Sequence, residues 1–243
     1  MPATLSLPFR DRDEAGRALA ARLAEVLDPL PTATDGLVLA LPRGGLPVAH
    51  HVAEALQLPL DVLIVRKLGV PGQPEFAMGA IASGGLRVLN DDVVRLLDIS
   101  PASIDAVARA ETTELARREE LYRGARPPPT IAGRTVIVVD DGLATGATMR
   151  AAVRALRTRS PSRLVVAVPV ASADTVDSLR GEADQVVAIA TPEPFLAVGR
   201  WYEDFDQVSD DEVRQLLTQA GRRSLPEAAA RKPVLRPAQE RPR

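Results

Sequence analysis

The feature that most constrains the fold is a junction between a β-branched run and a short loop of small residues, at residues 135–157. Residues 135–139 read Thr-Val-Ile-Val-Val, without the polar alternation of a half-exposed strand, which predicts a strand buried on both faces of a parallel sheet. Residues as far as Arg157 are rich in Ala, Arg and Leu and predict a helix. Asp140 and Asp141 lie between the two, where parallel α/β sheets bind ligands.

The loop between this strand and helix has the composition of an anion site. Small residues let the backbone approach a ligand, and the first amides of the helix carry roughly half a positive charge. The hydroxyls of Thr145 and Thr148 can donate to phosphate oxygens, whereas Asp140 and Asp141 would repel a phosphate and suit sugar hydroxyls. The junction therefore predicts a site for a ribose 5-phosphate.

The segment Val-Val-Asp-Asp-Gly-Leu-Ala-Thr-Gly-Ala-Thr at 138–148 resembles the phosphoribosyl pyrophosphate (PRPP) signature of the type I phosphoribosyltransferases. In that family the paired acids hold the ribose hydroxyls and the Thr-Gly-x-Thr loop holds the 5-phosphate. The resemblance implies that Asp140 and Asp141 bind the ribose. It also implies that the phosphate loop consists of Ala144, Thr145, Gly146, Ala147 and Thr148.

A second junction of strand and helix resembles the pyrophosphate loop of the same family. A buried strand predicted at 36–41 ends at Pro42-Arg43-Gly44-Gly45, and a helix is predicted from 46 to 56. Gly44 and Gly45 would let the backbone approach the diphosphate, and Arg43 would add a cation. The resemblance therefore assigns Arg43, Gly44 and Gly45 to PRPP.

The segment at 66–80 follows a strand predicted at 60–65 and is punctuated by Pro and Gly. It stands where the family carries a mobile loop that closes over the reaction centre and excludes water. The resemblance implies that Arg66 and Lys67 contact the departing pyrophosphate.

Residues 191–208 are predicted to form the hood, a small unit over the carboxyl edge of the sheet in this family. Four of the seven aromatic residues lie here, and exposed rings can stack on a planar base. We therefore predict that Phe195, Trp201 and Tyr202 line the acceptor pocket. A weak similarity to the hood of 6-oxopurine transferases implies that Glu203 helps to position magnesium through water. Ala144 stands where those enzymes have Asp, so the identity of the base stays open.

The alternation of strands and helices from 36 to 190 predicts an α/β fold with one doubly wound parallel sheet. A hairpin is predicted at 80–89, a short helix near 93–97 and a long charged helix at 101–123. We predict a phosphoribosyltransferase domain at 1–221 with its core at about 36–190, and a basic, Pro-rich disordered tail at 222–243.

Composition narrows the classes of function. The chain has 243 residues, a formal net charge of −2 and no cysteine, which disfavours general attraction to nucleic acid and excludes disulfides and thiolate chemistry. No membrane span or signal peptide is visible, so we expect a cytoplasmic protein without membrane or nucleic-acid partners. A homodimer is implied only by the resemblance.

The combined hypothesis is a Mg²⁺-dependent transferase that moves ribose 5-phosphate from PRPP to a nitrogen acceptor, a nucleobase or related heterocycle. Asp140, Asp141, Lys67 and Arg43 would act at the reaction centre. The alternative is a regulator that binds PRPP or a nucleotide without turnover, because fold does not fix function. A dinucleotide-binding dehydrogenase is disfavoured because the first strand lacks a Gly-x-Gly-x-x-Gly turn.

Overall fold

The computed structural model describes residues 7–223. Seven α-helices in this part of the chain are α1 Arg12–Val26, α2 Gly45–Leu56, α3 Asp91–Leu96, α4 Pro101–Arg123, α5 Ala147–Arg157, α6 Ala173–Leu179 and α7 Asp210–Arg223. The strands here are β1 Gly36–Ala40, β2 Leu60–Val62, β3 Val65–Val70, β4 Gln73–Ala82, β5 Leu86–Leu89, β6 Thr135–Val139, β7 Arg163–Val170 and β8 Gln185–Ala190.

The central sheet contains five parallel strands in the order β2-β1-β6-β7-β8. Successive residues of a strand point to opposite faces, and β6 contributes to two separate cores in this way. Ile137 and Val139 pack with helices α1, α2, α4 and α7, whereas Val136 and Val138 pack with α5 and α6. The structure thus confirms an α/β fold with helices on both faces of a parallel sheet.

The predicted loop at 66–80 is wrong, because most of this segment forms strands. β3 and β4 pair antiparallel and β5 pairs with β4, which gives a second sheet in the order β3-β4-β5. Pro71 and Gly72 make the turn, with Gly72 at φ 81°. Position 79 inside β4 requires a glycine, because a Cβ there would meet Val88 O at 2.4 Å. The glycines and prolines thus serve turns and close strand contacts.

The strand predicted at 60–65 is divided between the two sheets. β2 ends at Val62 in the parallel sheet, and β3 begins at Val65 in the antiparallel one. The predicted hairpin at 80–89, short helix α3 and long helix α4 are confirmed, with α3 capped by Asn90.

The segment 191–208 contains a short 3₁₀ helix, Val198–Trp201, and is tied to the start of the chain. Phe9 N donates to Trp201 O at 2.8 Å, and Glu203 N donates to Phe9 O at 2.7 Å. Phe9 and Tyr202 are buried in one small cluster with Ala15 and Val170. The segment is therefore fixed beside the N-terminus of α1.

Helix α7 ends at Arg223, so the first two residues of the predicted tail are helical. The remainder of that tail lies outside the described residues. Within 7–223, no helix is both long and apolar enough to cross a membrane.

Candidate functional site

The two acids of the signature follow β6 directly, and the turn that precedes α2 packs against them. A Cβ at Gly44 would lie 2.0 Å from Asp141 Oδ2, and a Cβ at Gly45 would lie 2.8 Å from Val139 O and 2.9 Å from the Asp140 Cα. Contacts below 3.0 Å are essentially never made by real Cβ atoms. Two adjacent glycines therefore allow the two strand-to-helix junctions to meet.

Asp140 and Asp141 form a coupled pair of partly buried carboxylates. Asp140 Oδ1 accepts a hydrogen bond from Asp141 N at 2.9 Å. Burial, and then the charge of Asp141, raise the pKa of Asp140 well above its usual range. Burial also raises the pKa of Asp141, although a neighbouring arginine opposes that rise. The charged form of the pair is thus disfavoured without a ligand.

The loop at 144–148 is anchored from the start of α6. Ala144 O accepts hydrogen bonds from Ser172 Oγ at 3.1 Å and from Thr175 Oγ1 at 2.6 Å. Gly146 caps α5 at φ 65°, a left-handed conformation that favours glycine. Because Gly146 has no side chain, the N-cap position supplies no cap to the first amides of α5, which lie close in sequence to the exposed residues Thr145 and Thr148.

Arg150 stabilises the same loop from the first turn of α5. Its guanidinium donates to Thr145 O and to Ser178 Oγ, the latter at 3.1 Å. The loop conformation is therefore fixed by side chains from α5 and α6 rather than by its own sequence alone.

Arg43 lies at the start of the turn that carries Gly44 and Gly45. Its Nη1 is 4.0 Å from Asp210 Oδ1, and that same oxygen accepts from Tyr122 Oη at 2.5 Å. Burial, aided by the hydrogen bond to Asp210, raises the pKa of Tyr122 to about 12. Arg43 thus stands at the edge of the site near the N-terminus of α7.

Arg66 and Lys67 are neighbours on β3, so their side chains point to opposite faces of the second sheet. Arg66 pairs with Glu111 of α4 at 2.6 Å, and Lys67 is exposed. Both residues nevertheless border one cavity together with Glu111.

The three aromatic residues predicted to line an acceptor pocket pack in and against one small cluster, but they differ in exposure. Phe195 and Trp201 are partly buried with ring centroids 6.3 Å apart. Tyr202 is buried, and its hydroxyl donates to Asp141 O at 2.6 Å. Burial raises the pKa of Tyr202, which keeps its proton in place as a donor. Tyr202 supports the acid pair and offers no exposed ring, whereas the side chain of Glu203 is exposed.

Arg12, at the first position of α1, is the site residue that the sequence analysis missed. Its Nε donates to Asp141 Oδ2 at 2.9 Å, and its Nη2 forms an ion pair with the same oxygen at 2.8 Å. Its Nη1 donates to Asp206 O at 2.8 Å, and its guanidinium lies 3.9 Å from the centroid of the Phe205 ring. The contact with Asp141 spans 129 residues, so no local pattern could have indicated it.

Within residues 7–223, no group of three or more His, Asp or Glu side chains is arranged to hold a metal ion.

Comparison with known proteins agrees with this architecture. Two relatives from Mycobacterium tuberculosis, whose names contain the words phosphoribosyl transferase, are each 51% identical over 214 residues, which is 88% of this chain. This chain spans 47% of the length of each. The crystal structure of TT1426 from Thermus thermophilus is 44% identical, with a TM-score of 0.78 over 87% of this chain and 98% of that one.

The family model described as "Phosphoribosyl transferase domain" matches residues 13–195. That range contains both junctions at the acid pair, the loop anchored by Ser172 and Thr175, and Phe195. The chain therefore belongs to the phosphoribosyl transferase domain family.

Proposed function

We propose that this chain binds PRPP and transfers its ribose 5-phosphate to a nitrogen acceptor of the nucleobase class, with release of pyrophosphate. The observation that carries the proposal is the meeting of two strand-to-helix junctions at one acid pair. Asp140 and Asp141 offer oxygens to vicinal hydroxyls, and the amides that open α5 lie one short loop away. The Gly44–Gly45 turn reaches the same acids from the other side. The three contacts match the three parts of PRPP.

The proposed reaction is a displacement at the anomeric carbon. The bond from that carbon to the pyrophosphate oxygen breaks, and its electron pair leaves with pyrophosphate. A ring nitrogen of the acceptor forms the new bond and then loses its proton. No protein nucleophile is required, so the chain contributes positioning and charge stabilisation.

In this proposal Asp140 and Asp141 hold the ribose, and Ala144, Thr145, Gly146, Ala147 and Thr148 hold the 5-phosphate. Arg43, Gly44 and Gly45 bind the diphosphate. Lys67 and Arg66 stay candidates for the leaving group, although Arg66 would first have to release Glu111. Phe195 and Trp201 are the proposed aromatic contacts of the acceptor.

Magnesium fits this site as a companion of the substrate. The carboxylates of the described residues do not form a protein cage for a metal, and Mg²⁺ retains water and binds substrate phosphates readily. When bound to the diphosphate it would neutralise charge on the leaving group. Glu203 is its proposed protein contact, through water. Chelation with EDTA should then abolish pyrophosphate release, and Glu203→Gln should raise the magnesium concentration needed for half-maximal rate.

The test is pyrophosphate release from PRPP and magnesium, with purine and pyrimidine bases added singly. The Asp140→Asn/Asp141→Asn double variant should lose base-stimulated release while remaining folded. The matched control is Asp174→Asn/Asp177→Asn, which removes two acids of α6 that lie outside the site. Full activity in the Asp140/Asp141 variant would refute the assignment.

Calorimetry of PRPP binding separates the proposed enzyme from the regulator alternative. PRPP binding that is lost in the double variant, without release by any base, would favour the regulator. Absence of PRPP binding would refute the transferase and a regulator that responds to PRPP, and would leave a regulator that binds another nucleotide.

A further inference from the structure

We infer that Arg12 is a positioning residue, which favours the ionised form of the Asp141 carboxylate and orients it so that its Oδ1 faces a ribose hydroxyl. This inference rests on the proposed function and assigns a role to a residue outside both family motifs. It stands on the contacts that Arg12, Gly44 and Tyr202 make with Asp141.

The geometry at Asp141 leaves one carboxylate oxygen for a ligand. Both Arg12 nitrogens bind Oδ2, and the Gly44 Cα lies against the same oxygen, since a Cβ there would be 2.0 Å away. Oδ2 is therefore enclosed by protein. Tyr202 Oη fixes the Asp141 carbonyl, and Asp140 Oδ1 accepts from the Asp141 amide. Backbone and side chain of Asp141 are thus each held from a different direction.

The burial of the ion pair makes this contact effective. The side chains of Arg12 and Asp141 are only 11% and 14% exposed, so solvent screens their attraction less than at the surface. Two nitrogens on one carboxylate also fix its direction, which a single ammonium would do less well. Arg12 is itself held by Asp206 O and by the face of Phe205.

The charged or titratable groups around the Asp141 carboxylate come from three parts of the chain. They are Asp140 from the signature, Arg12 from α1 and Tyr202 from the 191–208 segment; the turn that precedes α2 contributes Gly44, which carries no charge. Arg12 is the cation among these described groups. Removing it should therefore leave two neighbouring carboxylates without this counter-charge and raise the pH at which Asp141 ionises.

The primary experiment follows the carboxyl titration of Asp141 by ¹³C NMR in the full chain, with Asp141→Asn used to assign the signal. Arg12→Gln should move the midpoint upward by about one pH unit or more, because an opposite charge at this range lowers a carboxyl pKa by ~1–3 units. Arg12→Lys should keep the midpoint close to its wild-type value. Arg10→Gln is the matched control, since Arg10 is 63% exposed and pairs with Asp11.

The second readout is PRPP affinity by calorimetry at pH 6 and pH 8. Arg12→Gln should weaken binding at both values and more strongly at pH 6, where the acid pair is more protonated. Arg12→Lys should bind more weakly than wild type with a pH dependence close to wild type, because it keeps the charge and loses the two-nitrogen contact.

The outcomes separate the two proposals. An unchanged Asp141 midpoint in Arg12→Gln would overturn the inference, even if the variant bound PRPP poorly through loss of structure. A shifted midpoint with PRPP affinity unaltered at both pH values would also overturn it. If the wild-type chain does not bind PRPP, the proposed function fails and the positioning role fails with it. In that case the NMR titration still reports separately whether Arg12 lowers the pH at which Asp141 ionises.

Discussion

Replacement of Gly44 by alanine tests the closest contact in the site. Gly44 has φ −60° and ψ −33°, a conformation that alanine adopts readily, so the backbone presents no obstacle. The added methyl group would lie 2.0 Å from Asp141 Oδ2 and 2.8 Å from Asp141 Cγ. Because contacts below 3.0 Å are essentially never observed, either the turn or Asp141 must move by about 1 Å.

Two consequences of that movement can be estimated. Overpacking of this kind costs about 1–3 kcal/mol of folding free energy, and each kcal/mol lowers the melting temperature of a domain this size by ~2–4 °C. Displacement of Asp141 also weakens its bond to a ribose hydroxyl. A hydrogen bond to a charged group contributes about 1.5–3 kcal/mol, so PRPP affinity should fall by roughly tenfold to a hundredfold.

Calorimetric titration with PRPP and a thermal melt measure the two effects on one preparation. Gly181→Ala is the matched control, because its Cβ would meet only Ser178 O at 3.7 Å, an ordinary contact. That variant should bind and melt like wild type. If Gly44→Ala also bound PRPP and melted like wild type, the packing of this turn on Asp141 would be wrong.

Three further predictions concern stability and the phosphate loop. Asp140→Asn should raise the melting temperature at pH 8 by a few degrees and remove PRPP binding. Because the pKa of Asp140 is raised in the folded chain, its ionisation lowers stability as pH rises through that pKa. The gain in melting temperature should therefore vanish at pH 4. A variant that melted below wild type at pH 8 would contradict this prediction. Asp61→Ala should cost about 3 kcal/mol in denaturant unfolding, the lower end for a broken buried ion pair, since buried Arg123 loses Asp61 and keeps Glu119 as its partner. Its control, Asp177→Ala, breaks an exposed pair and should cost less than ~1 kcal/mol. Thr175→Val removes the 2.6 Å bond to Ala144 O; it should cost about 1 kcal/mol and weaken PRPP binding, whereas Thr113→Val, on an exposed helix face, should leave binding unchanged.

The parallel sheet and the acid junction could be predicted because their signals are local. The unbroken apolar run of β6 indicates burial on both faces of the sheet, and the two acids and the small-residue loop follow it directly in the sequence. The turn at Gly44 and Gly45 was predictable for the same reason. Its direct contact with Asp141 was not predictable, because a sequence does not show how close two junctions about a hundred residues apart lie in the folded chain.

The pairing of β3 with β4 in the second sheet could not be predicted, because glycine and proline occur in turns and also inside strands. Pro71 and Gly72 mark a turn, but Gly69 and Gly79 lie inside paired strands, and at Gly79 the missing Cβ avoids a clash with Val88 O. The need for a glycine at such a position can be recognised only when the partner strand is known. A segment dense in Pro and Gly therefore favoured a loop, although its residues pair over most of β3 and β4.

Arg12 and Tyr202 illustrate a different limit. Each contacts Asp141 from a segment far away in the chain, and neither belongs to a pattern that predicts such a contact. The aromatic content of 191–208 suggested rings available to a base. Burial of Tyr202 against Phe9 could be recognised only once the N-terminal segment was placed beside it.

The unequal surroundings of the two acids indicate how the site is completed. Arg12 binds Asp141 directly, whereas the charge nearest Asp140 is the like charge of Asp141, which together with burial raises its pKa. A carboxylate in these surroundings lowers the stability of the unliganded fold. Proteins retain such destabilising groups at positions where a ligand binds them. A sugar hydroxyl that donates to Asp140 would supply the hydrogen bond that favours its charged form. Because ligands that bind the folded state stabilise it, we expect a bound sugar to gain most of its stabilising effect at Asp140, since Arg12 already offsets part of the charge on Asp141.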